Sequence, residues 1–153
     1  MGAWRGYARA MGSEQGDAWA PQSRVGAVVV ALVQGDQAAA ERAAGLPPDE
    51  RDPSVLQAAI RLAVRSLFDE DTGPDQIAEF VAAMREDVEV DPAVAEALIR
   101  AQLGEPQLLE AFAPQSVDDT TWSTLGYLCE RRLGPEDSLQ LVEYAEQQAL
   151  HAA

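Results

Sequence analysis

The chain has 153 residues and a mass of 16.4 kDa, which is the size of one compact domain with a single hydrophobic core. Hydrophobic residues make up 47% of it, which excludes disordered, collagen-like and disulfide-scaffold compositions. The formal net charge is −15, with 26 acidic residues against 11 basic ones, all of them arginine. Such a surface repels phosphate groups, so the composition argues against binding to nucleic acid or to an anionic membrane.

Residues 1–22 contain several glycines and no sustained apolar period, so we expect an N-terminal arm that is flexible or loosely docked. Its aromatic residues Trp4, Tyr7 and Trp19 are unusual for a solvated tail, and they favour docking on the domain or on a second subunit. We therefore predict an arm over residues 1–22 and a single all-α domain over residues 23–153.

From Ser23 onward, apolar residues recur at helical spacing, and no alternating pattern typical of a strand is present. Ser23 is the predicted N-cap of a first, valine-rich helix over Val25 to Val33. This helix is apolar around much of its circumference, so it must be covered from more than one side, by its own domain or by a second copy of the chain. Gly35 and Asp36 end it and start a short alanine-rich helix that finishes near Gly45.

Proline and acidic residues mark the starts of the later helices. Proline loses no hydrogen bond in the first helical turn, and a carboxylate there faces the positive end of the helix dipole. The predicted starts are Ser54, Pro74, Asp91-Pro92, Glu105-Pro106, Asp118 or Asp119, and Gly134-Pro135. The pattern predicts an all-α fold, a compact bundle of about seven or eight helices built from αα-hairpins.

A weak internal repeat relates two Gly-Pro pairs. An offset of 134 − 73 = 61 residues aligns Gly73-Pro74 with Gly134-Pro135, together with apolar residues on either side of each pair. One interpretation is an internal duplication, in which each half is a helix, a Gly-Pro corner and a second helix. The alternative is a chance alignment of proline corners between amphipathic helices, since no fixed tandem period is visible.

The acidic turn from Asp69 to Asp75 is the closest approach to a metal motif. An EF-hand loop that starts at Asp69 would place Gly73, Pro74 and Phe80 at positions 5, 6 and 12, where oxygen ligands and a glycine are required. We interpret the segment as a solvated helix-capping turn and leave open whether it binds a cation. The sequence contains no Gly-rich phosphate loop, nucleophile elbow or zinc motif, so we assign no catalytic residue, metal site or cofactor.

The candidate functional residues are Tyr127, Arg131, Arg132 and Tyr144, in the C-terminal part of the chain. Tyr127 and Arg131 are four residues apart and therefore neighbour each other on one face of a helix. Aromatic residues and arginine are enriched at the energetic centres of protein interfaces. The alternative is that Trp122 lies in the core, Tyr144 is half-buried, and the arginines form exposed ion pairs with Glu130 and Glu136.

These observations predict a cytoplasmic, non-enzymatic, acidic helical module that binds a protein partner or itself, with a homodimer expected. The single cysteine, Cys129, cannot form an intrachain disulfide, and the apolar run Val25 to Val33 is shorter than the roughly 20 residues that span a bilayer. The alternative function is a small-molecule binder or enzyme with a pocket between helices. In that case Tyr127, Arg131 and Tyr144 would form a wall that holds an anion.

Overall fold

The computed structural model describes residues 20–151, and for residues 150 and 151 it describes the backbone alone. This range contains seven α-helices, one 3-10 helix and one π-helical segment, and no strand. The α-helices are α1 (Arg24–Val33), α2 (Gln37–Ala44), α3 (Asp52–Arg65), α4 (Pro74–Met84), α5 (Pro92–Gln102), α6 (Pro114–Tyr127) and α7 (Gly134–His151). The 3-10 helix is Pro106–Ala111, and the π-helical segment is Leu128–Leu133. The predicted all-α fold of about seven or eight helices is confirmed.

Contacts group the described residues into two compact units. The first unit holds residues 20–59 and 133–151, and the second holds residues 60–132. The prediction of a single domain and that of an internal duplication stay predictions. Most of the predicted N-terminal arm, residues 1–19, lies outside the described residues.

In the first unit, α1 packs against both α2 and α7. Val25 and Val29 of α1 are buried, whereas Val28, Val30, Leu32 and Val33 are half-buried, and no position of α1 is fully exposed. Two helices of the same chain therefore cover much of this apolar helix. The other buried apolar residues of the unit are Ala31, Ala40, Ala43, Val55, Leu56, Ala58, Ala59, Leu141, Val142 and Ala145.

The N-terminus of α1 is held by the carboxylate of Glu146, which lies in α7 and is 2% exposed. The backbone amides of Gln22 and Ser23 donate to this carboxylate at 3.0 and 2.8 Å, and the Ser23 hydroxyl donates to it as well. The Ser23 Oγ also accepts from the amide of Gly26 at 2.9 Å, which confirms the predicted N-cap. Unpaired N–H groups and the positive end of the dipole at a helix N-terminus both favour a negative charge there.

Gly26 makes this close approach possible. A Cβ atom at position 26 would overlap with the Glu146 carboxylate and would lie 3.0 Å from the Ser23 Oγ. A Cβ atom on Gly126, inside α6, would meet nothing within 4 Å. Gly26 and Gly126 therefore differ in what a methyl group would displace.

The loop between α2 and α3 is tied at both ends to Arg24 of α1. The Arg24 Nε donates to Asp52 Oδ2 at 3.0 Å, and its Nη1 donates to the Ala44 carbonyl at 3.5 Å. Within the loop, the Asp49 amide donates to Asp52 Oδ2 at 3.1 Å. Arg51 donates to the Asp49 carboxylate from Nε and Nη2, and these hydrogen bonds lower the pKa of Asp49 to about 2.

Helix α3 begins at Asp52, two residues before the predicted start at Ser54. The Asp52 carboxylate is almost buried and accepts the Asp49 amide three residues earlier, so the first turn is closed by aspartate and not by serine. The burial of Asp52 depends on Arg24, which is 28 residues away in the chain, so the neighbouring residues do not predict it.

The predicted cap of α6 at Asp118 or Asp119 is wrong, because the helix already begins at Pro114. Its N-cap, Ala113, makes no side-chain hydrogen bond, so the usual capping signature is missing there. Pro114 occupies the first turn, where its missing N–H has no effect on the helix. Asp119 lies inside the helix and accepts a hydrogen bond at 2.9 Å from the side chain of Gln115, one turn earlier.

In the second unit, α5 packs against α4, α6 and the 3-10 helix. The starts of α4 and α5 follow the prediction, with Pro74 and Pro92 in the first turns and the Asp91 side chain accepting the Ala93 amide at 2.9 Å. The buried apolar residues of the unit are Ile60, Ala63, Val64, Ile77, Phe80, Val81, Met84, Val94, Ala95, Ala97, Leu98, Ile99, Leu125, Tyr127, Leu128 and Cys129.

Gly26 and Gly126 give a matched pair of substitutions. We expect Gly26→Ala to lower the free energy of unfolding by about 2–4 kcal/mol, because the new methyl group displaces the buried Glu146 carboxylate from its donors. We expect Gly126→Ala to raise it by about 0.5–1 kcal/mol, because alanine restricts the unfolded chain and meets open space in the helix. Urea denaturation of both variants measures these changes, and equal effects of the same sign would contradict the described geometry.

Candidate functional site

Three aromatic side chains of the second unit pack edge to face. The ring centroid of Phe80, in α4, lies 5.1 Å from that of Phe68 and 5.7 Å from that of Tyr127, with interplanar angles of 86° and 75°. Phe80 and Tyr127 are 8% and 9% exposed. Each such pair adds about 0.5–1.5 kcal/mol beyond the burial of its surface. The three rings, called the aromatic platform below, form a well-supported base.

Directly after Tyr127 the backbone becomes π-helical over Leu128–Leu133. Leu128 and Cys129 are buried at its start, and the next three residues, Glu130, Arg131 and Arg132, are exposed. A π-helical turn is rare and is found frequently at functional sites. The π-helical segment therefore begins in the core of the unit and ends at its surface, where Arg131 and Arg132 lie.

Arg132 lies over the aromatic platform. Its Cζ is 5.3 Å from the centroid of the Phe80 ring, a cation–π distance, and the residue is exposed. Within residues 60–132, no carboxylate forms an ion pair with Arg132. The carboxylates of this unit therefore leave the N–H groups of Arg132 unused.

Arg131 contacts the turn that follows α4 through a weaker interaction. Its Nη2 lies 3.6 Å from Asp87 Oδ1, which is too long for a hydrogen bond, and the two side chains are 59% and 38% exposed. Exposed ion pairs of this kind contribute roughly 0–1 kcal/mol. The contact orients Arg131 without occupying its donors.

The structure brings three of the four predicted residues into one unit. Tyr127 is buried and contacts Phe80 edge to face, whereas Arg131 and Arg132 are exposed. The spacing of four residues therefore does not place Tyr127 and Arg131 on one exposed face. Tyr144 belongs to the first unit, where it lies on α7 and is 51% exposed.

Sequence analysis missed Phe68, Phe80 and Asp87 as members of this surface. Phe80 has the helical spacing of a core residue, and its place under Arg132 depends on a contact between residues far apart in the chain. No local signal in the sequence pairs the two positions, and none indicates the π-helical segment that begins after Tyr127 and contains both arginines.

The acidic turn before α4 is closed by its own polar groups. The Asp69 amide donates to Thr72 Oγ1 at 3.0 Å, and the Asp71 amide donates to Asp69 Oδ1 at 2.9 Å. The Gly73 amide donates to the Gln76 side chain at 3.0 Å, which caps α4. These bonds agree with the interpretation as a helix-capping turn. Over residues 20–151, no three His, Cys, Asp or Glu side chains are grouped so that they could hold a metal ion.

No protein-family model, curated protein or solved structure matches the chain significantly. None of the described helices is long and apolar enough to cross a membrane. The case for a function therefore depends on the surface of the described residues.

The two arginines differ in a way that stability measurements detect. We expect Arg132→Gln to lower the free energy of unfolding by about 0.5–1 kcal/mol, because it removes the cation–π contact with Phe80. We expect Arg131→Gln to change it by less than about 0.5 kcal/mol, since the exposed pair with Asp87 is long. Denaturation of both variants under the same conditions tests the difference, and a larger loss for Arg131→Gln would contradict the described contacts.

Proposed function

We propose that the protein is a non-enzymatic, acidic helical module that binds other proteins, with Arg131 and Arg132 on the aromatic platform as the binding surface. The observation that carries this proposal is the exposed guanidinium of Arg132 stacked on Phe80. Arginine and aromatic residues dominate the energetic centres of protein interfaces, where they fill well-packed and desolvated positions.

The contact between Arg132 and Phe80 supports a role in binding, because it restricts the arginine side chain before a partner binds. A free arginine loses rotamer freedom when a partner immobilises it, and this loss weakens association. The Phe80 ring already restricts Arg132, and Phe68 and Tyr127 restrict the ring in turn. Arg132 is exposed, and a planar guanidinium matches a carboxylate of a partner in a bidentate geometry.

The charge around this surface indicates what else a partner carries. Residues 69–91, which include α4, contain nine acidic residues and one basic residue, Arg85, and all ten are exposed. The acids are Asp69, Glu70, Asp71, Asp75, Glu79, Glu86, Asp87, Glu89 and Asp91. Such a surface attracts a basic protein and repels an acidic one, and a carboxylate that faces Arg132 would fix the register of the complex.

We propose self-association as well. Salt should affect it in the opposite direction from the association with a basic partner. The half-buried residues Val28, Val30, Leu32 and Val33 of α1 supply apolar area for a second copy. Two chains with a net charge of −15 repel each other, so salt would strengthen a homodimer by screening. Salt would weaken and slow the association with a basic partner. We propose that the module acts in the cytoplasm, in agreement with its one buried cysteine.

The test compares proteins retained from a cell extract by the full chain and by an Arg131→Gln/Arg132→Gln variant. Arg42→Gln is the matched control, because Arg42 is an exposed arginine of the other unit. A protein retained by the wild type and the control, then purified, should bind the double variant about tenfold more weakly or worse. Equal dissociation constants for wild type and double variant would contradict the proposed surface.

Self-association and the small-molecule alternative are tested together by native mass spectrometry of protein purified without added ligand. We expect native mass spectrometry to show the mass of a dimer. In sedimentation experiments at increasing salt, the dimer fraction should rise, because screening reduces the repulsion between the two chains. A monomer at every concentration and salt would contradict self-association. A stoichiometric extra mass would support the alternative of a ligand pocket between helices.

A further inference from the structure

The loop between α2 and α3 exposes an apolar tip formed by Leu46, Pro47 and Pro48. Leu46 is 49% exposed, and among the described residues only Tyr144 is a comparably exposed large apolar side chain. Both prolines are exposed as well. A single exposed leucine is common on protein surfaces, so exposure alone carries no argument. What distinguishes this tip is how rigidly the surrounding residues present it.

The two prolines restrict the backbone of the tip. Each proline ring holds its own φ near −65°, and each proline disfavours helical geometry in the residue before it. Leu46 and Pro47 both precede a proline, so the whole tip is biased toward the extended polyproline II conformation. Residues 47–49 have no helical or turn assignment, whereas Leu46 lies in the bend directly after α2.

Both ends of the tip are fastened to the first unit. On the N-terminal side, the Leu46 amide donates to the Ala43 carbonyl at 3.1 Å. On the C-terminal side, the Asp49 amide donates to Asp52 Oδ2 at 3.1 Å. The guanidinium of Arg24 spans the two sides, because it donates to the Ala44 carbonyl and to Asp52 Oδ2. The loop is therefore closed by one arginine that belongs to the neighbouring helix.

The ion pair between Asp49 and Arg51 stabilises the backbone directly after the tip. Arg51 donates to Asp49 from the backbone amide at 2.8 Å and from Nη2 at 2.7 Å, and the Asp49 side chain is 27% exposed. Because these hydrogen bonds lower the pKa of Asp49 to about 2, the pair stays charged at any ordinary pH. Glu50 is exposed directly beside it. The tip is thus apolar, with negative charge on its C-terminal flank.

We propose that Leu46-Pro47-Pro48 is a preformed ligand that docks into an aromatic-lined groove of a protein partner, with a basic residue of the partner beside the exposed Glu50. Grooves lined with aromatic side chains bind proline-rich segments because a polyproline II backbone loses little entropy on binding. Leucine supplies an anchor that is half-exposed in the free protein and becomes buried in the complex. The tip belongs to the first unit and Arg131 and Arg132 belong to the second, so each proposal is tested by its own substitutions.

The first experiment places a photo-crosslinking amino acid at position 46 of the full chain. The matched control carries it at position 144, the other exposed large apolar position of the same unit. Both proteins are irradiated in an extract of the cells that produce the chain. We expect a partner adduct specific to position 46. A synthetic peptide of residues 43–52 should compete with it about tenfold better than the same peptide with Pro47→Ala and Pro48→Ala.

The second experiment measures the dissociation constant of the purified partner. We expect Leu46→Ala to weaken binding about tenfold, since the anchor is lost, and Tyr144→Ala to leave it unchanged. Arg24→Gln should weaken it about threefold, because a loosened loop must be ordered on binding. The Arg131→Gln/Arg132→Gln variant should bind this partner like the wild type, which separates a failure here from a failure of the proposed binding surface.

Three outcomes would overturn the proposal. They are no adduct specific to position 46, equal competition by the two peptides, and a dissociation constant that Leu46→Ala does not change. A position-46 adduct to a second copy of this chain would assign the tip to self-association and would also contradict the proposed groove in a different protein.

Discussion

The first unit depends on a carboxylate buried at the start of α1. Glu146 comes from the last helix and accepts the amides of Gln22 and Ser23, so the end of the chain determines where its first described helix begins. Burying a charge is costly, and here the cost is offset by amide and hydroxyl donors at the positive end of a helix. Gly26 is required in that position because any side chain would displace the carboxylate. Once α1 is anchored, Arg24 in its first turn is in place to reach Asp52 and close the loop between α2 and α3.

Arginine serves two different purposes in this acidic chain. Arg24 is partly buried and its donors are used within the fold, where they hold a carboxylate and a carbonyl. Arg132 is exposed and lies over an aromatic ring. The first arrangement shapes the protein, and the second is the basis of the proposed binding surface. The difference follows from the neighbours, because the residue type is the same.

A strongly negative surface sets the conditions under which such features work. It disfavours weak contacts with other acidic macromolecules. Long-range charge mainly affects the rate and selectivity of association, and affinity comes from desolvated aromatic, arginine and apolar contacts. The described residues offer both kinds of contact at separate places. One is the arginine pair on the aromatic platform, and the other is the Leu46-Pro47-Pro48 tip.

The sequence alone determined the fold class and many helix ends, because these depend on interactions within a few residues. Ser23 as a cap and Pro74 in a first turn are local signals, and local chemistry was sufficient to predict them. The start of α6, the π-helical segment that contains Arg132 and the burial of Tyr127 were decided by tertiary packing. The same holds for the contact of Arg132 with Phe80 and for the carboxylate of Glu146 at Ser23. Each joins groups that the chain order separates, and no spacing rule can pair residues whose proximity exists only after the helices have packed.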